Sequence, residues 1–290
     1  YAFANGNSYQ GEFFRGKFHG KGIYKDLKRG ITYEGTFQDG ALEGDAKIIN
    51  RNEESEYYGQ VSKFKRNGKG TYRFPAQDNH CKMYEGEFKD DKLHGKGKLL
   101  MKDGTRIDGT FVYNELEGIA KITTKDYTYE GPIVKGYKNG QGVITFSNRD
   151  RYEGEFSQDR KEGQGVYVYS DGSEYRGSFK NDKKHGRGRL VLKNFGVYEG
   201  EFANGVMHGR GKITLENGLV YEGEFDSNYA DGKGRIIFSS GNVYEGYFEQ
   251  NTKHGPGKLV IKYNGKEYEY SGEFVYNAEK ASVADFGKRF

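Results

Sequence analysis

Five of the six histidines, His19, His94, His185, His208 and His254, stand immediately before a glycine. A row of imidazoles at one repeated position has the residue type needed to hold a metal. The same position, however, carries Glu43, Asn67, Glu117, Asn139, Glu162 and Asp231 elsewhere in the chain. That set suits a side chain that hydrogen-bonds near a turn. His80-Cys81 offers two adjacent ligands with no third in sight, which reads as an exposed loop pair. Carboxylates come in pairs, Glu153 with Glu155 and Glu222 with Glu224. General acid–base chemistry needs such pairs in a cleft that shifts their pKa values, and carboxylates facing lysines on a solvated sheet lack one. Gly-x-Gly recurs with basic residues after it, but the phosphate-cradling spacings that open a helix are absent. The sequence therefore predicts no catalytic, cofactor-binding or metal site. Two basic clusters remain, Lys63, Lys65, Arg66 and Lys69, then Lys183, Lys184, Arg187 and Arg189. They are candidate contacts for acidic lipid, since each cation near such a surface contributes about 1 kcal/mol.

The elements that carry these residues follow from a repeat. Units start at Tyr9, Tyr33, Tyr57, Tyr84, Ile107, Tyr129, Tyr152, Tyr175, Tyr198, Tyr221, Tyr244 and Tyr270. Every start but the last is followed, at a fixed distance, by a glycine, from Gly20 to Gly255. The length variation falls after the glycine pair, as in the insertion Pro75–Met83, so insertions are expected on one edge.

In the unit YEGEFANGVMHGRGKITLENG, Tyr198, Gly200 and Phe202 share one parity and Glu199 and Glu201 the other. Asn204-Gly205 is a two-residue hairpin turn. Folding about it pairs Gly200 with Gly209, Tyr198 with Gly211, Glu199 with Arg210 and Glu201 with His208. Glu216-Asn217-Gly218 then closes a three-residue loop that brings Tyr221 opposite Ile213. The expected fold is all-β: an elongated, single-layer antiparallel meander of about twelve hairpins, twisted, with a groove along its aromatic face. Rings cover the bare glycine backbone there.

Composition agrees. Of 290 residues, 45 are Gly, 25 Tyr and 20 Phe, and mean hydropathy is −0.95, so the apolar material sits in rings rather than in a thick aliphatic core. The formal net charge of +4 describes a mixed surface and does not call for nucleic acid. Cys81 is the one cysteine and no Asn-x-Ser/Thr acceptor occurs, which fits a reducing, cytoplasmic setting. No apolar run approaches a membrane span. The chain opens on Tyr1 without a Met, as a processed chain or a part of a longer one would, so targeting signals can lie outside it.

The units at 152–173, 175–196 and 198–218 strongly resemble MORN repeats, the membrane occupation and recognition nexus motif, with its Tyr-Glu-Gly-Glu-Phe, turn and His-Gly-x-Gly. The likeness covers 1–277. Departures are local: Ile107 for the leading Tyr, Val61 and Ile133 for the Phe, Ala46 and Ala120 for the second Gly. The twelfth unit lacks its Gly-x-Gly half, and 278–290 fit no repeat and are expected to cap or dock.

The resemblance implies a non-enzymatic binding scaffold. Arrays that are nearly all repeat are similar to radial-spoke and other ciliary axonemal proteins and to cytoskeletal scaffolds, so partners are expected among the proteins of a large assembly, another MORN protein or a second copy included. The expected partner groove is the aromatic face: Tyr152, Phe156, Tyr175, Phe179, Tyr198, Phe202, Tyr221 and Phe225. The alternatives are a peripheral membrane protein that binds acidic lipid through the basic clusters, and a regulatory module of an enzyme complex.

Overall fold

A computed structural model describes residues 1–275. The expected cap or docking segment 278–290 lies outside the described residues. Among these residues there are 24 strands and no helix. The chain forms two units, divided after Asn139. Each is an open antiparallel meander in which a strand pairs with its neighbours in the chain.

The tight turns come out as expected. Asn204 and Gly205 both take positive φ, 53° and 98°, as the twist-matched two-residue turn requires. The wide turns absorb the length variation at the opposite edge. The unit from Tyr198 closes its wide turn with Leu215 N–H donating to Leu219 O at 2.9 Å. Longer units place 27–30 between Asp26 and Ile31, and 51–54 between Asn50 and Ser55.

The register within the first hairpin differs from the sequence expectation. Gly200 pairs with Gly211, not Gly209; Tyr198 pairs with Ile213, Glu199 with Lys212 and Phe202 with Met207. Glu201 thus stands against His208, Gly209 and Arg210, a bulge that recurs between Gly177 and Phe179 and between Gly223 and Phe225. Gly209 makes it possible: its φ of +66° is a left-handed conformation that costs a side-chain-bearing residue about 1–2 kcal/mol. The bulge inserts an even number of residues, so the parity of the faces read from the sequence stands. The second hairpin is in the expected register, with Ile213 opposite Tyr221.

The shift lines the glycines up. In the second unit Gly154, Gly165, Gly177, Gly188, Gly200 and Gly211 are successive cross-strand partners, and the row runs on to Gly272. The tyrosine of each hairpin lies across its own glycine pair. A β-carbon on Gly188 would stand 2.5 Å from the Tyr175 ring and hydroxyl, a distance that real side chains do not tolerate. The tyrosine hydroxyls donate into the bulge, Tyr198 to Glu201 O at 2.8 Å and Tyr221 to Glu224 O at 2.8 Å.

Candidate interaction surface

The eight rings expected to line a groove are core. Tyr152, Tyr175, Tyr198 and Tyr221 are 0% exposed, and Phe156, Phe179, Phe202 and Phe225 between 3% and 5%. They form an edge-to-face ladder. Tyr175 meets Phe179 of its own repeat at 5.2 Å and Phe202 of the next at 5.0 Å, and Tyr198 meets Phe202 and Phe225, both at 5.1 Å. The expectation of open rings along an aromatic groove is therefore corrected: the eight rings are buried against one another.

One reason for their burial lies in a position that the sequence reading did not single out, nine residues after each leading tyrosine. Phe18 stacks on Tyr9 at 3.9 Å, and Leu42, Met207 and Ala230 are fully covered at this place. Lys184 holds its Nζ 5.7 Å from the Tyr175 centroid and 5.6 Å from Phe202. Its long stem lies over rings, and burial pushes its pKa down to about 8. Lys161 sits likewise over Tyr152 at 5.5 Å, and burial lowers its pKa, partly offset by Asp182 and Asp150. The fixed spacing from the tyrosine was the available signal.

The same position is laced to the next repeat. Met207 N–H donates to Asn228 Oδ1 at 2.7 Å while Asn228 N–H donates to Met207 O at 3.1 Å, and Lys161 with Asp182 repeats the pair at 2.9 and 3.0 Å. The residue before the bulge glycine adds a third link. Glu43, Glu117, Glu162 and Asp231 accept backbone N–H groups from the tight turn of the following repeat, at Lys63, Lys135, Asn181 and Gln250. This is the hydrogen-bonding role expected for that position. His208 instead contacts Asp226 Oδ1 at 3.1 Å through Nδ1.

Each unit has an open hollow on its charged face. In the second unit it measures about 890 Å³, with glycine backbone as its floor and Arg189, Glu199, Glu201, Arg210 and Lys212 among its walls. The first unit has its own hollow of about 560 Å³, lined by Lys69, Glu85, Glu87, Lys96 and Lys98 beside Gly70 and Gly86. Cross-strand register makes the face striped: Arg189, Glu199, Lys212, Glu222, Arg235 and Glu245 are successive partners. Glutamates of the inner row do more than face cations. Glu155 accepts Gln164 N–H at 2.9 Å and Glu224 accepts Lys233 N–H at 3.0 Å, each occupying a donor within the bulge.

A family profile described as MORN repeat matches nine segments: 9–26, 57–78, 84–106, 129–151, 152–174, 175–197, 198–220, 221–243 and 244–261. This chain belongs to the MORN repeat family. The matched MORN segments begin at nine of the repeat starts. The units at Tyr33 and Ile107 are not matched, yet they fold with the same tight turn and bulge.

Alsin of Rattus norvegicus is 31% identical over 148 residues, which are 47% of this chain and 9% of Alsin. Alsin of Homo sapiens is likewise 31% identical over the same shares. The chain thus matches less than a tenth of the length of these relatives. Among solved structures, the SAS-4 (dCPAP) TCP domain in complex with a proline-rich motif of Ana2 (dSTIL), from Drosophila melanogaster, aligns at 14% identity with a TM-score of 0.31, covering 61% of this chain and 90% of that one. MORN repeats are a non-catalytic module for protein interaction or membrane association.

Within the MORN units the two basic clusters divide between faces. Lys184 covers rings, and Arg66 lies 4.2 Å over Tyr72 and pairs with Asp91 at 3.2 Å. Lys63, Lys65 and Lys183 are exposed beside tight turns, with Lys65 3.5 Å from Asp90. Lys69, Arg187 and Arg189 stand on the charged face, Arg189 paired with Glu199 at 3.1 Å. Neither cluster is one patch. His80 and Cys81 donate their N–H groups to Asp78 Oδ1 at 2.8 and 2.6 Å, which fixes the loop, and burial raises the Cys81 thiol pKa. Among the described residues no cluster of three or more His, Cys, Asp or Glu is placed to hold a metal, and no helix is long and apolar enough to cross a membrane.

Proposed function

We propose that this chain is a protein-interaction scaffold without catalytic activity, which holds extended segments of partner proteins along its charged, glycine-floored face. The observation that carries this reading is the hollow on that face, about 890 Å³ in the second unit, backed by the ring ladder on the other face. Gly188, Gly200 and Gly211 expose backbone there, and charged walls on either side select the partner by its charge pattern.

The setting we propose is a cytoskeletal assembly, with the ciliary axoneme first, because the repeat units resemble those of radial-spoke components. Peripheral binding to acidic lipid is less well supported, because the basic clusters split between faces and acidic stripes alternate with basic ones on the charged face around Glu199, Lys212 and Glu222.

The test is affinity capture from a ciliated-cell extract, with the intact chain compared to Arg210→Glu/Lys212→Glu. Both residues are exposed on the hollow's wall, and a thermal melt verifies that the variant folds, since each new glutamate faces a glutamate across the strands. Axonemal or tubulin-associated proteins that are lost in the variant support the proposal. The same proteins retained by the variant overturn the assignment of the face, and recovery of lipid-associated proteins alone overturns the scaffold reading.

A further inference from the structure

One stripe of the charged face is out of pattern. Strands bearing glutamates alternate with strands bearing arginine or lysine from Gly196–Ala203 onward. At the strand Glu174–Lys180 the two glutamate positions hold Arg176 and Ser178 instead. Arg176 is therefore the direct cross-strand partner of Arg189, and two basic strands adjoin. Like charges placed directly opposite destabilise a sheet.

The second substitution leaves a place empty. In sister repeats the inner glutamate reaches over the bulge glycine and accepts the N–H that follows it: Glu155 takes Gln164 N–H at 2.9 Å, Glu201 takes Arg210 N–H at 3.4 Å, and Glu224 takes Lys233 N–H at 3.0 Å. A β-carbon on Gly163 would stand 2.5 Å from the Glu155 carboxylate. At Gly186 the nearest atoms are Ser178 Cβ and Oγ, at 3.6 and 3.7 Å, and no carboxylate lies there. The Ser178 hydroxyl is turned to Gln164, accepting from its Nε2 at 2.8 Å. The donor left over the bulge is Arg187 N–H, and the side chain of Arg187 makes no ion pair among the described residues. Arg176 and Arg189 each hold one carboxylate, Glu174 at 3.0 Å and Glu199 at 3.1 Å. Other repeats that lack the inner glutamate do not build this arrangement. At Gln60 the bulge residue is the basic Lys69, but Gln60 fills the place itself by accepting Lys69 N–H at 2.9 Å. Behind Thr36, Thr110, Pro132 and Tyr247 the bulge residues are Asp45, Ile119, Gln141 and Pro256, none of them basic and the last without an N–H.

We propose that Arg176, Ser178, Arg187 and Arg189 form a notch that takes the carboxylate of an aspartate or glutamate on a partner polypeptide, an assignment that rests on reading the charged face as the interaction surface. The ligand's chemistry is set by the sister repeats, in which the chain's own carboxylate occupies the equivalent place. Charge-assisted hydrogen bonds from Arg187 and its backbone N–H would hold it, with Arg176 and Arg189 on either side. A flat anionic membrane fits poorly, since Glu199, Glu201, Glu222 and Glu224 stand on the same face and would be pressed against it.

The experiment uses the full chain and a fluorescein-labelled peptide alternating Glu and Thr, read by anisotropy, with the Gln-Thr peptide as control. Ser178→Glu refills the notch with the residue that the sister repeats carry, and its thermal melt verifies the fold. The proposal predicts that the Glu peptide binds the wild type over the Gln peptide and binds Ser178→Glu and Arg187→Ala about tenfold or more weakly, as loss of a charge-assisted contact implies. Equal binding to Ser178→Glu overturns the notch. So does preference for a phosphoserine peptide or for phosphatidylserine vesicles. If binding survives Ser178→Glu but is lost in Arg210→Glu/Lys212→Glu, the notch fails and the charged-face reading stands; if it survives both, both fail.

Discussion

A β-carbon on Gly211 would stand 2.5 Å from the hydroxyl of Tyr198, the ring that crosses this glycine and its partner Gly200. The glycine is there because the ring is. This relationship recurs at Gly165 with Tyr152, Gly188 with Tyr175 and Gly234 with Tyr221, and it makes the aromatic face a core one ring thick.

Gly211→Val should therefore displace the Tyr198 ring and break its bond to Glu201 O. Overpacking of this kind costs about 1–3 kcal/mol, and the lost hydrogen bond about 1 more. Urea denaturation gives the cost. Hydrogen exchange should localise the opening to the hairpin 198–215, because repeat stability is set by nearest neighbours. An unchanged urea midpoint would contradict the ring placement.

Asn228→Gly isolates the lacing between repeats. Glycine keeps the positive φ of 71° and removes the carboxamide that accepts Met207 N–H at 2.7 Å. The loss should be about 1 kcal/mol. Amide exchange at Met207 should quicken more than at Ile213 of the same strand. Equal change at both amides would mean that the side chain acts only on the turn itself.

Lys184 supplies a pH dependence. Burial brings its pKa from the ordinary 10.5 to about 8. Below about pH 8 the ammonium is charged in the folded and unfolded chain alike, and the full cost of burying it is present. Between about 8 and 10.5 the folded chain releases the proton while the unfolded chain keeps it, so stability rises with pH across that window. Lys184→Met should be more stable than the wild type at pH 7, by a margin that narrows toward pH 10. Urea midpoints of the two proteins at several pH values check this, and a constant margin would refute it. Above pH 10 the buried tyrosines, whose pKa values burial raises, act in the opposite sense.

Much of this was legible in the residues. The repeat gave the number and order of hairpins, Asn204-Gly205 gave the tight turn, and parity placed Tyr198 and Glu199 on opposite faces. The bulge was not legible, because its cause is the backbone conformation of Gly209, and a glycine's φ is not written in its identity. The mistaken pairing of Gly200 with Gly209 follows from that alone. The closure of the aromatic face was hidden for a different reason. A single layer suggests exposed rings, whereas Phe202 finds cover from the tyrosines of two repeats, and Tyr175 from Lys184, nine residues along the chain. The groove was sought among the most conspicuous rings, and those rings are buried.

The central claim is that Tyr and Phe of each repeat hold the sheet together and that the opposite face meets partners. The measurement that tests it most directly is the stability of Phe179→Ser/Phe202→Ser by urea denaturation. Removing two buried rings should cost about 3–5 kcal/mol each and unfold the hairpins around them. A double variant that keeps the wild-type midpoint would mean that these rings lie open, as a groove would have them, and that the ring ladder is not the core of the sheet.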